Sequence, residues 1–332
     1  MLQSNRSLVS RTDLYSLVES LESRRLLSAV LTSGILRVNG TSAGDRITIS
    51  LVKNQPTKLQ VQVGSTINQF TLAAVNQIII QGLAGNDAIG FNNANGVFVK
   101  PTKIYGGDGN DNITGSFGGD RIAGGKGNDF INGGNANDTL YGEDGNDTIV
   151  GSLGNDFIGG GAGTDSIHGN EGNDRMYGDA NFDTIFGDAG NDFARGGTGN
   201  DLMGGGDGND SLFGDSGVDN IGGEAGDDQL HGGEDGDTIF GGLGKDVING
   251  NGGGDFLNGN EGSDYIFGGA GDEFIQGGDG DDDISGGTGF DSINGQAGND
   301  DLYDADEAGQ FTFTDDIGAN TLIDKPNLAD AS

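Results

Sequence analysis

The feature that most restricts the fold of this chain is a nine-residue period running from residue 106 to residue 303. The segment divides into 22 consecutive nonapeptides without an insertion or a deletion. Glycine occupies position one in all 22 and position four in 19, aspartate occupies position six in 21, and Ile, Leu or Met occupies position eight in 21. A period kept this strictly predicts a solenoid built from one repeated turn.

Each nonapeptide is expected to form a turn followed by a three-residue strand. In the first one, GGDGNDNIT (106–114), six residues rich in Gly, Asn and Asp disfavour a helix and favour a turn with positive φ angles. The last three residues place one aliphatic side chain inward between two outward ones. Two nonapeptides then make one coil of 18 residues. The predicted fold is all-β, a right-handed parallel β-roll of about 11 coils.

Burial of apolar surface alone is not expected to hold this roll together. The inward column has one aliphatic side chain per nonapeptide, from Ile113 to Leu302, with Ala194 as a small member. The free energy gained by burying this column is small compared with the free-energy cost of the conformational entropy lost when a glycine-rich chain of this length is ordered. Aspartates on successive coils would lie about 5 Å apart, at the spacing of neighbouring strands, and would repel each other. A cation between the coils is therefore required.

The composition of the chain indicates which cation this is. The sequence has 52 acidic and 16 basic residues, a formal charge of −36, two histidines and no cysteine. Thiolate sites are excluded, and both nucleic acid and anionic lipid would be repelled. Carboxylates at position six and backbone carbonyls of the glycine turns make an all-oxygen site, which suits Ca²⁺ better than Mg²⁺ or a softer metal. The gaps between turns on the two edges would hold about 20 Ca²⁺ ions.

The segments around the repeat block have other patterns. Residues 30–105 contain alternating apolar runs at 46–51 (RITISL) and 59–63 (LQVQV), and degenerate nonapeptides at 40–48 and 82–90. They are predicted to form a β-rich N-terminal region that caps the roll. Residues 304–332 lose the period and are predicted to be an acidic C-terminal tail. No apolar run is long enough to cross a bilayer.

The repeat resembles the RTX (repeats-in-toxin, hemolysin-type) family of calcium-binding nonapeptides, whose pattern is GGxGxDxUx with U a large aliphatic residue. The resemblance covers all of residues 106–303. It implies that one turn gives carbonyls from positions two and four and its aspartate. The turn 18 residues later gives carbonyls from positions one and three and its own aspartate. On one edge the first implied set is Gly107, Gly109, Asp111, Gly124, Lys126 and Asp129, and on the other it is Ser116, Gly118, Asp120, Gly133, Asn135 and Asp138.

The remaining predicted metal ligands are mostly glycines at position four and aspartates at position six, with one aspartate ahead of the repeat block. Sites at Ala136, Asn181, Asp235 and Glu273, which depart from the pattern, are expected to be weaker or distorted. The further predicted ligands are Asp87, Gly127, Gly145, Asp147, Gly154, Asp156, Gly163, Asp165, Gly172, Asp174, Asp183, Gly190, Asp192, Gly199, Asp201, Gly208, Asp210, Gly217, Asp219, Gly226, Asp228, Asp237, Gly244, Asp246, Gly253, Asp255, Gly262, Asp264, Gly280, Asp282, Gly289, Asp291, Gly298 and Asp300.

The N-terminal residues 1–29 are interpreted as an export or targeting segment. Residues 21–29 (LESRRLLSA) resemble the LEPR-XLL motif that begins many large planctomycete proteins thought to be exported, with Ser23 where that motif has proline. The alternative interpretation is an amphipathic helix without a targeting role.

The aromatic side chains at outward positions divide between two faces of the predicted roll. They are interpreted as rings that shield thin strands and stack along the roll, and the alternative is a face that binds sugar rings or a partner sheet. One face carries Tyr141, Phe157, Tyr177, Phe193, Phe213, Tyr265, Phe267 and Tyr303. The other carries Phe130, Phe186, Phe240, Phe256 and Phe274.

The sequence favours a secreted or cell-surface protein that folds on binding Ca²⁺ and has a structural or adhesive role. HExxH does not occur, and the GxSxG match at 40–44 (GTSAG) falls within the degenerate nonapeptide at 40–48, so no catalytic residue is predicted. The alternative function is a carbohydrate-binding accessory module of a polysaccharide-modifying enzyme. The expected partners are calcium ions with extracellular polysaccharide or cell-surface proteins, and neither nucleic acid binding nor membrane insertion is expected.

Overall fold

The computed structural model describes residues 28–303, together with residues 315–317 and 321–322. Ahead of the repeats it has seven strands and one turn of 3-10 helix, Leu72–Ala74. These strands are β1 (Ser28–Thr32), β2 (Ile35–Asn39), β3 (Arg46–Val52), β4 (Gln55–Val63), β5 (Thr66–Thr71), β6 (Gln77–Ala84) and β7 (Ala88–Asn92). The predicted targeting segment lies outside the described residues except for its last two positions. No helix in the described part of the chain is long and apolar enough to span a bilayer.

The strands that follow recur every nine residues. They are β8 (Thr102–Asp108), β9 (Asn112–Thr114), β10 (Arg121–Lys126), β11 (Phe130–Asn135), β12 (Thr139–Asp144), β13 (Thr148–Leu153), β14 (Phe157–Ala162), β15 (Ser166–Glu171), β16 (Arg175–Ala180), β17 (Thr184–Ala189), β18 (Phe193–Thr198), β19 (Leu202–Asp207), β20 (Ser211–Ser216), β21 (Asn220–Ala225), β22 (Gln229–Glu234), β23 (Thr238–Leu243), β24 (Val247–Gly252), β25 (Phe256–Glu261), β26 (Tyr265–Ala270), β27 (Phe274–Asp279), β28 (Asp283–Thr288), β29 (Ser292–Ala297), β30 (Asp301–Tyr303), β31 (Asp315–Ile317) and β32 (Thr321–Leu322).

Successive repeat strands belong alternately to two sheets of 16 strands each. The first sheet runs from β1, β2 and β6 through β8 and the even-numbered strands to β32. The second runs from β5, β4, β3 and β7 through β9 and the odd-numbered strands to β31. Within the repeat block each strand pairs in parallel with the strand one coil away, as β10 does with β8 and β12. The predicted all-β parallel β-roll of about 11 coils is confirmed.

The strands are longer than the three residues predicted from the sequence. A typical repeat strand has six residues and includes positions seven to nine of one nonapeptide and positions one to three of the next. In β10, for example, Gly125 and Lys126 pair with Gly107 and Asp108 one coil below. Because every coil repeats the same backbone path, even the glycine-rich segment finds backbone partners above and below it.

One aliphatic column fills the space between the two sheets. Every position-eight side chain from Ile113 to Leu302 is buried, as the predicted alternation requires. Ala194 lies in this column next to Met176 on the neighbouring strand, and Met203 lies one nonapeptide further along. Both methionines in the described chain are therefore close in sequence to the column's smallest member, where a flexible unbranched side chain fills space best.

The N-terminal region continues both sheets and ends them with antiparallel strands. β3 pairs in parallel with β7, and β7 pairs in parallel with β9, so the two degenerate nonapeptides form coils of the same roll. At the outer end, β1 pairs antiparallel with β2, and β4 lies antiparallel between β3 and β5. At the other end, β31 and β32 extend the sheets beyond β29 and β30.

The turns place positions two and four in the left-handed region of the backbone. Glycine at position four has φ angles such as +142° at Gly163. Where position four is not glycine the conformation is kept, with φ of +72° at Ala136, +77° at Asn181 and +76° at Asp235. Asn and Asp tolerate this region better than alanine, whose Cβ is strained there. Ala136 is therefore a point of backbone strain.

Replacing Ala136 by glycine should stabilise the roll. We expect Ala136→Gly to raise the free energy of unfolding in calcium by about 1 kcal/mol, because it relieves the strain of alanine at positive φ. Thermal unfolding followed by circular dichroism measures the change. Ala162→Gly, at an exposed position three without positive φ, is the control and should be slightly destabilising. Equal effects of the two variants would contradict this account.

Candidate metal centre

The position-six aspartates form two ladders, one along each edge of the roll. The first-edge ladder runs from Asp45 and Asp87 through Asp111 and on to Asp255, and the second-edge ladder runs from Asp120 to Asp300. In each ladder, Oδ1 of an aspartate accepts the backbone N–H of the aspartate one coil earlier. The bond from Asp111 N–H to Asp129 Oδ1, for example, is 2.7 Å long. Every coil thus brings one carboxylate of each ladder close to the next.

The second carboxylate oxygen of these aspartates is buried without a partner. For every position-six aspartate from Asp129 to Asp291, Oδ2 has no hydrogen-bond partner among the described residues, and the same holds for Asp87 and Asp111. The side chains themselves are almost wholly buried. An unpartnered buried carboxylate oxygen is costly, so a whole row of them indicates ligands that face a cation.

The glycines surround these oxygens with backbone carbonyls. A Cβ atom on Gly142, at position one, would collide with Asp147 Oδ2 and with the carbonyl oxygen of Gly160. A Cβ atom on Gly163, at position four, would collide with the carbonyl oxygen of Gly145 one coil below. Glycine is needed at both positions because a carbonyl oxygen of the adjacent coil occupies the space that a Cβ atom would take. The donor set is therefore carboxylate and carbonyl oxygen, which fits Ca²⁺.

The structure brings together much of the ligand set implied on the first edge. Asp111 and Asp129 are joined by the ladder bond, and Gly109 N–H donates to the carbonyl of Lys126 at 2.6 Å. A Cβ atom on Gly106 would touch both Asp111 Oδ2 and the carbonyl of Gly124, so those two oxygens face the same space. Coordination by these particular atoms remains a prediction.

The first aspartate of the second edge has a different environment. Asp120 Oδ2 accepts the backbone N–H of Ser116 at 2.5 Å. Its Oδ1 accepts both the N–H and the hydroxyl of Thr102, at 2.7 and 2.8 Å, and the Ser116 hydroxyl at 3.1 Å. Because both oxygens are already hydrogen-bonded, Asp120 is less suited to a cation than the aspartates above it. The ligand set predicted around Ser116, Gly118 and Asp120 is therefore the least supported by this geometry.

Glu273 interrupts the first-edge ladder. Neither of its carboxylate oxygens has a hydrogen-bond partner in the described structure, and Asp255 N–H donates no ladder bond to it. Its own N–H reaches Asp291 Oδ1 at 3.1 Å, longer than the bonds lower in the ladder. The extra methylene of glutamate carries the carboxylate away from the position that aspartate occupies.

Burial raises the pKa of many ladder carboxyls. Loss of solvent on burial, with a smaller contribution from neighbouring carboxylates, raises the pKa of Asp129 to about 7 and that of Asp138 to about 8. The same cause raises the pKa of Asp147 to about 6. Burial, together with Asp291, raises the pKa of Glu273 to about 9. Without a cation, the folded roll favours protonated carboxyls.

Carboxylates alone do not complete a metal site here. Within residues 28–303, no group of three or more His, Cys, Asp or Glu side chains is placed to hold an ion, since each edge offers one carboxylate per coil. The sequence prediction overlooked Asp45, which sits in the degenerate nonapeptide at 40–48 and stacks on Asp87 across an interval of 42 residues. Asp45 matches position six of that nonapeptide, but the contact with Asp87 could not be predicted because the two residues are not separated by one 18-residue coil.

Comparison with known proteins agrees with this geometry. The sequence model of a family described as the RTX calcium-binding nonapeptide repeat (4 copies) matches overlapping segments. Those segments together extend from residue 105 to residue 303 and include 105–140, 168–203 and 276–303. No curated protein matches the chain in a sequence comparison.

Acid should stabilise the metal-free roll. A carboxyl whose pKa is higher in the folded chain than in the unfolded one stabilises the fold while it is protonated, and that stability is lost as the pH rises through the folded pKa. With folded values of about 6 to 8 at Asp147, Asp129 and Asp138, calcium-free protein should lose β structure between about pH 5 and pH 8. Circular dichroism over this range, with and without calcium, measures the effect. β structure that does not change with pH in the calcium-free protein would contradict it.

Proposed function

Because the chain belongs to the RTX calcium-binding nonapeptide repeat family, we propose that it is an exported protein whose roll folds when Ca²⁺ enters between the coils. The observation that carries the proposal is the row of buried Oδ2 atoms without partners from Asp129 to Asp291. At most of these aspartates, a Cβ atom on the position-one glycine of the same turn would meet both Oδ2 and the position-one carbonyl oxygen one coil further on, so the two oxygens face the same space. A divalent cation in that space supplies the missing partner and neutralises two neighbouring carboxylates of one ladder.

Each Ca²⁺ is held between two turns one coil apart. The proposed ligands are the position-six carboxylates of both turns, the carbonyls of positions two and four below, and those of positions one and three above. About 20 such ions would carry about as much positive charge as the chain carries negative charge, which is −36. Coils that repel one another as a free chain are then joined by shared ions.

Coupled folding and binding suits a protein that acts outside the cell. Where calcium is scarce, repulsion along the acidic chain keeps it extended and able to pass an export channel. Where calcium is abundant, binding energy becomes folding energy and the roll condenses. We propose an extracellular or cell-surface location for this reason, with residues 1–29 as the targeting segment.

The role we propose is structural or adhesive rather than catalytic. A second candidate, a carbohydrate-binding module that serves a polysaccharide-modifying enzyme, is favoured by one observation. On the first sheet, the aromatic rings from Tyr141 to His231 form an unbroken run of contacts with centroids 4.6 to 5.9 Å apart. Both roles need a roll that is folded in calcium and presents an outer face to other molecules.

A single ladder aspartate tests whether calcium lies between the coils. Asp210 is bonded to its ladder neighbours on both sides, so Asp210→Asn should weaken two adjoining sites and raise the calcium concentration needed for folding. Asp207→Asn removes the same charge from an exposed position in the same repeat and is the matched control. Equilibrium dialysis with Ca²⁺ counts bound ions, and circular dichroism gives the folding midpoint. Identical results for the two variants would overturn the proposal.

The opposite change is available at Glu273. Glu273→Asp places a carboxylate at the position that aspartate occupies in the other turns of this edge, where it can accept the backbone N–H of Asp255. The calcium concentration at the folding midpoint should therefore fall, and dialysis should show at least as many bound ions as the parent chain. A higher midpoint for Glu273→Asp would contradict calcium binding by the ladder.

A further inference from the structure

A cleft opens on the outer face of the first sheet beside the run of aromatic rings. Strand β14 presents Gly159 and Gly161 there, between the side chains of β12 and β16. The cleft has a volume of about 430 Å³, and we call it the Gly159 cleft. Its lining residues are Tyr141, Glu143, Phe157, Gly159, Gly160, Gly161, Tyr177 and Asp179.

Neither the backbone conformation nor a steric clash requires glycine at residue 159. This residue is outside the left-handed region of the backbone, and a Cβ atom there would meet nothing closer than 3.4 Å, at the ring of Tyr141. The residues at the same position on the neighbouring strands are Tyr141 and Tyr177, so the position accepts large side chains. Glycine inside a strand weakens it and often indicates a close approach by another molecule.

The walls of the cleft suit a puckered saturated ring. The rings of Tyr141, Phe157 and Tyr177 form a continuous apolar wall along the cleft, because the ring of Phe157 contacts the other two with centroid distances of 5.9 and 5.5 Å. One C–H face of a pyranose packs on such a wall of aromatic rings, as apolar surface does.

The polar groups of the cleft suit the hydroxyl groups of a neutral sugar. The charged lining residues are Glu143 and Asp179, one on each side of Gly161 and both exposed. Carboxylates accept strong hydrogen bonds from hydroxyl groups, whereas they repel a carboxylate or sulfate group on a ligand.

The two nearby arginines do not supply positive charge to the lining of the cleft. The Arg175 guanidinium lies over the ring of Phe193 at 4.7 Å and donates to the Tyr177 hydroxyl. The Arg121 guanidinium lies over the ring of Tyr141 at 4.9 Å. Both cations therefore pack against the aromatic run, and neither is among the residues that line the cleft.

We propose that the Gly159 cleft binds a pyranose unit of a neutral polysaccharide. The aromatic run continues past the cleft over Phe193 and Phe213, so further sugar units of the same chain have rings to lie against. The inference rests on the proposed calcium-loaded roll and names the partner through which the roll adheres.

The test fills the cleft and leaves the fold intact. In the position-nine column, Phe213 and His231 stack on neighbouring strands with centroids 4.6 Å apart, so the ring of Gly159→Phe should pack against Tyr141 and fill the cleft without disturbing the sheet. Gly222→Phe is the matched control, since Gly222 is at the same position on the second sheet with open space around it. Calorimetry on the calcium-loaded full chain would use a soluble β-linked glucan and a galactomannan, with chondroitin sulfate as the anionic comparison.

We expect a neutral glycan to bind the parent chain and the Gly222→Phe variant alike, and to bind Gly159→Phe at least about tenfold more weakly. Tyr177→Ala should weaken binding in the same way. The proposal is overturned if neither neutral glycan binds, if only chondroitin sulfate binds, or if Gly159→Phe binds as the parent does. Self-association of the chain that Gly159→Phe abolishes, without glycan binding, would also overturn it.

The same samples separate this inference from the proposed function. Circular dichroism in chelator and in calcium reports whether the fold depends on the ion. A calcium-dependent fold without glycan binding overturns the cleft inference alone. A roll that stays folded in chelator contradicts calcium-coupled folding, and glycan binding can still be measured on it.

Discussion

Successive aspartates on each edge of the roll face one another at the spacing of neighbouring strands, and this contact governs the rest of the structure. One oxygen of each carboxylate is held by a backbone N–H of the adjacent coil, while the other is enclosed without a partner. Such a row is unfavourable when ionised and bare, because burial and like charge both oppose ionisation. A divalent ion between the coils turns the same row into the main source of cohesion. The aliphatic column then has only to fill the space between the sheets.

Glycine has two separate functions in this arrangement. At Gly142 and Gly163 it is required by the fold, because a carbonyl oxygen of the adjacent coil lies where a Cβ atom would stand. At Gly159 no such crowding exists, and the absence of a side chain opens a cleft between two tyrosines. The repeat thus leaves its outward positions free to vary. The inner ligand rows remain the same from coil to coil, while the outer face acquires rings, arginines and gaps that can recognise a partner.

The period alone predicted the parallel roll, the buried position-eight column and the stacking of Asp111 on Asp129, since each follows from a repeat of constant length. What the period could not predict involves residues outside it. Asp45 and Asp87 join the first-edge ladder across long insertions, and Thr102 satisfies Asp120 from a segment without the motif. The strands exceed the predicted three residues because backbone pairing between identical coils continues into glycine-rich positions that have no strand propensity of their own. The Gly159 cleft depends on which neighbours Gly159 has across two strands, and this emerges only once the register is known.

The most direct test of the central claim is a calcium titration of the full chain at neutral pH, followed by far-UV circular dichroism and small-angle X-ray scattering on the same samples. The account predicts an expanded chain with little β signal in chelator, and a cooperative gain of β signal with collapse of the radius of gyration as Ca²⁺ is added. Mg²⁺ at the same concentration should not reproduce the transition. A compact, β-rich protein in chelator would contradict the account, because the buried carboxylates would then be tolerated without the ion.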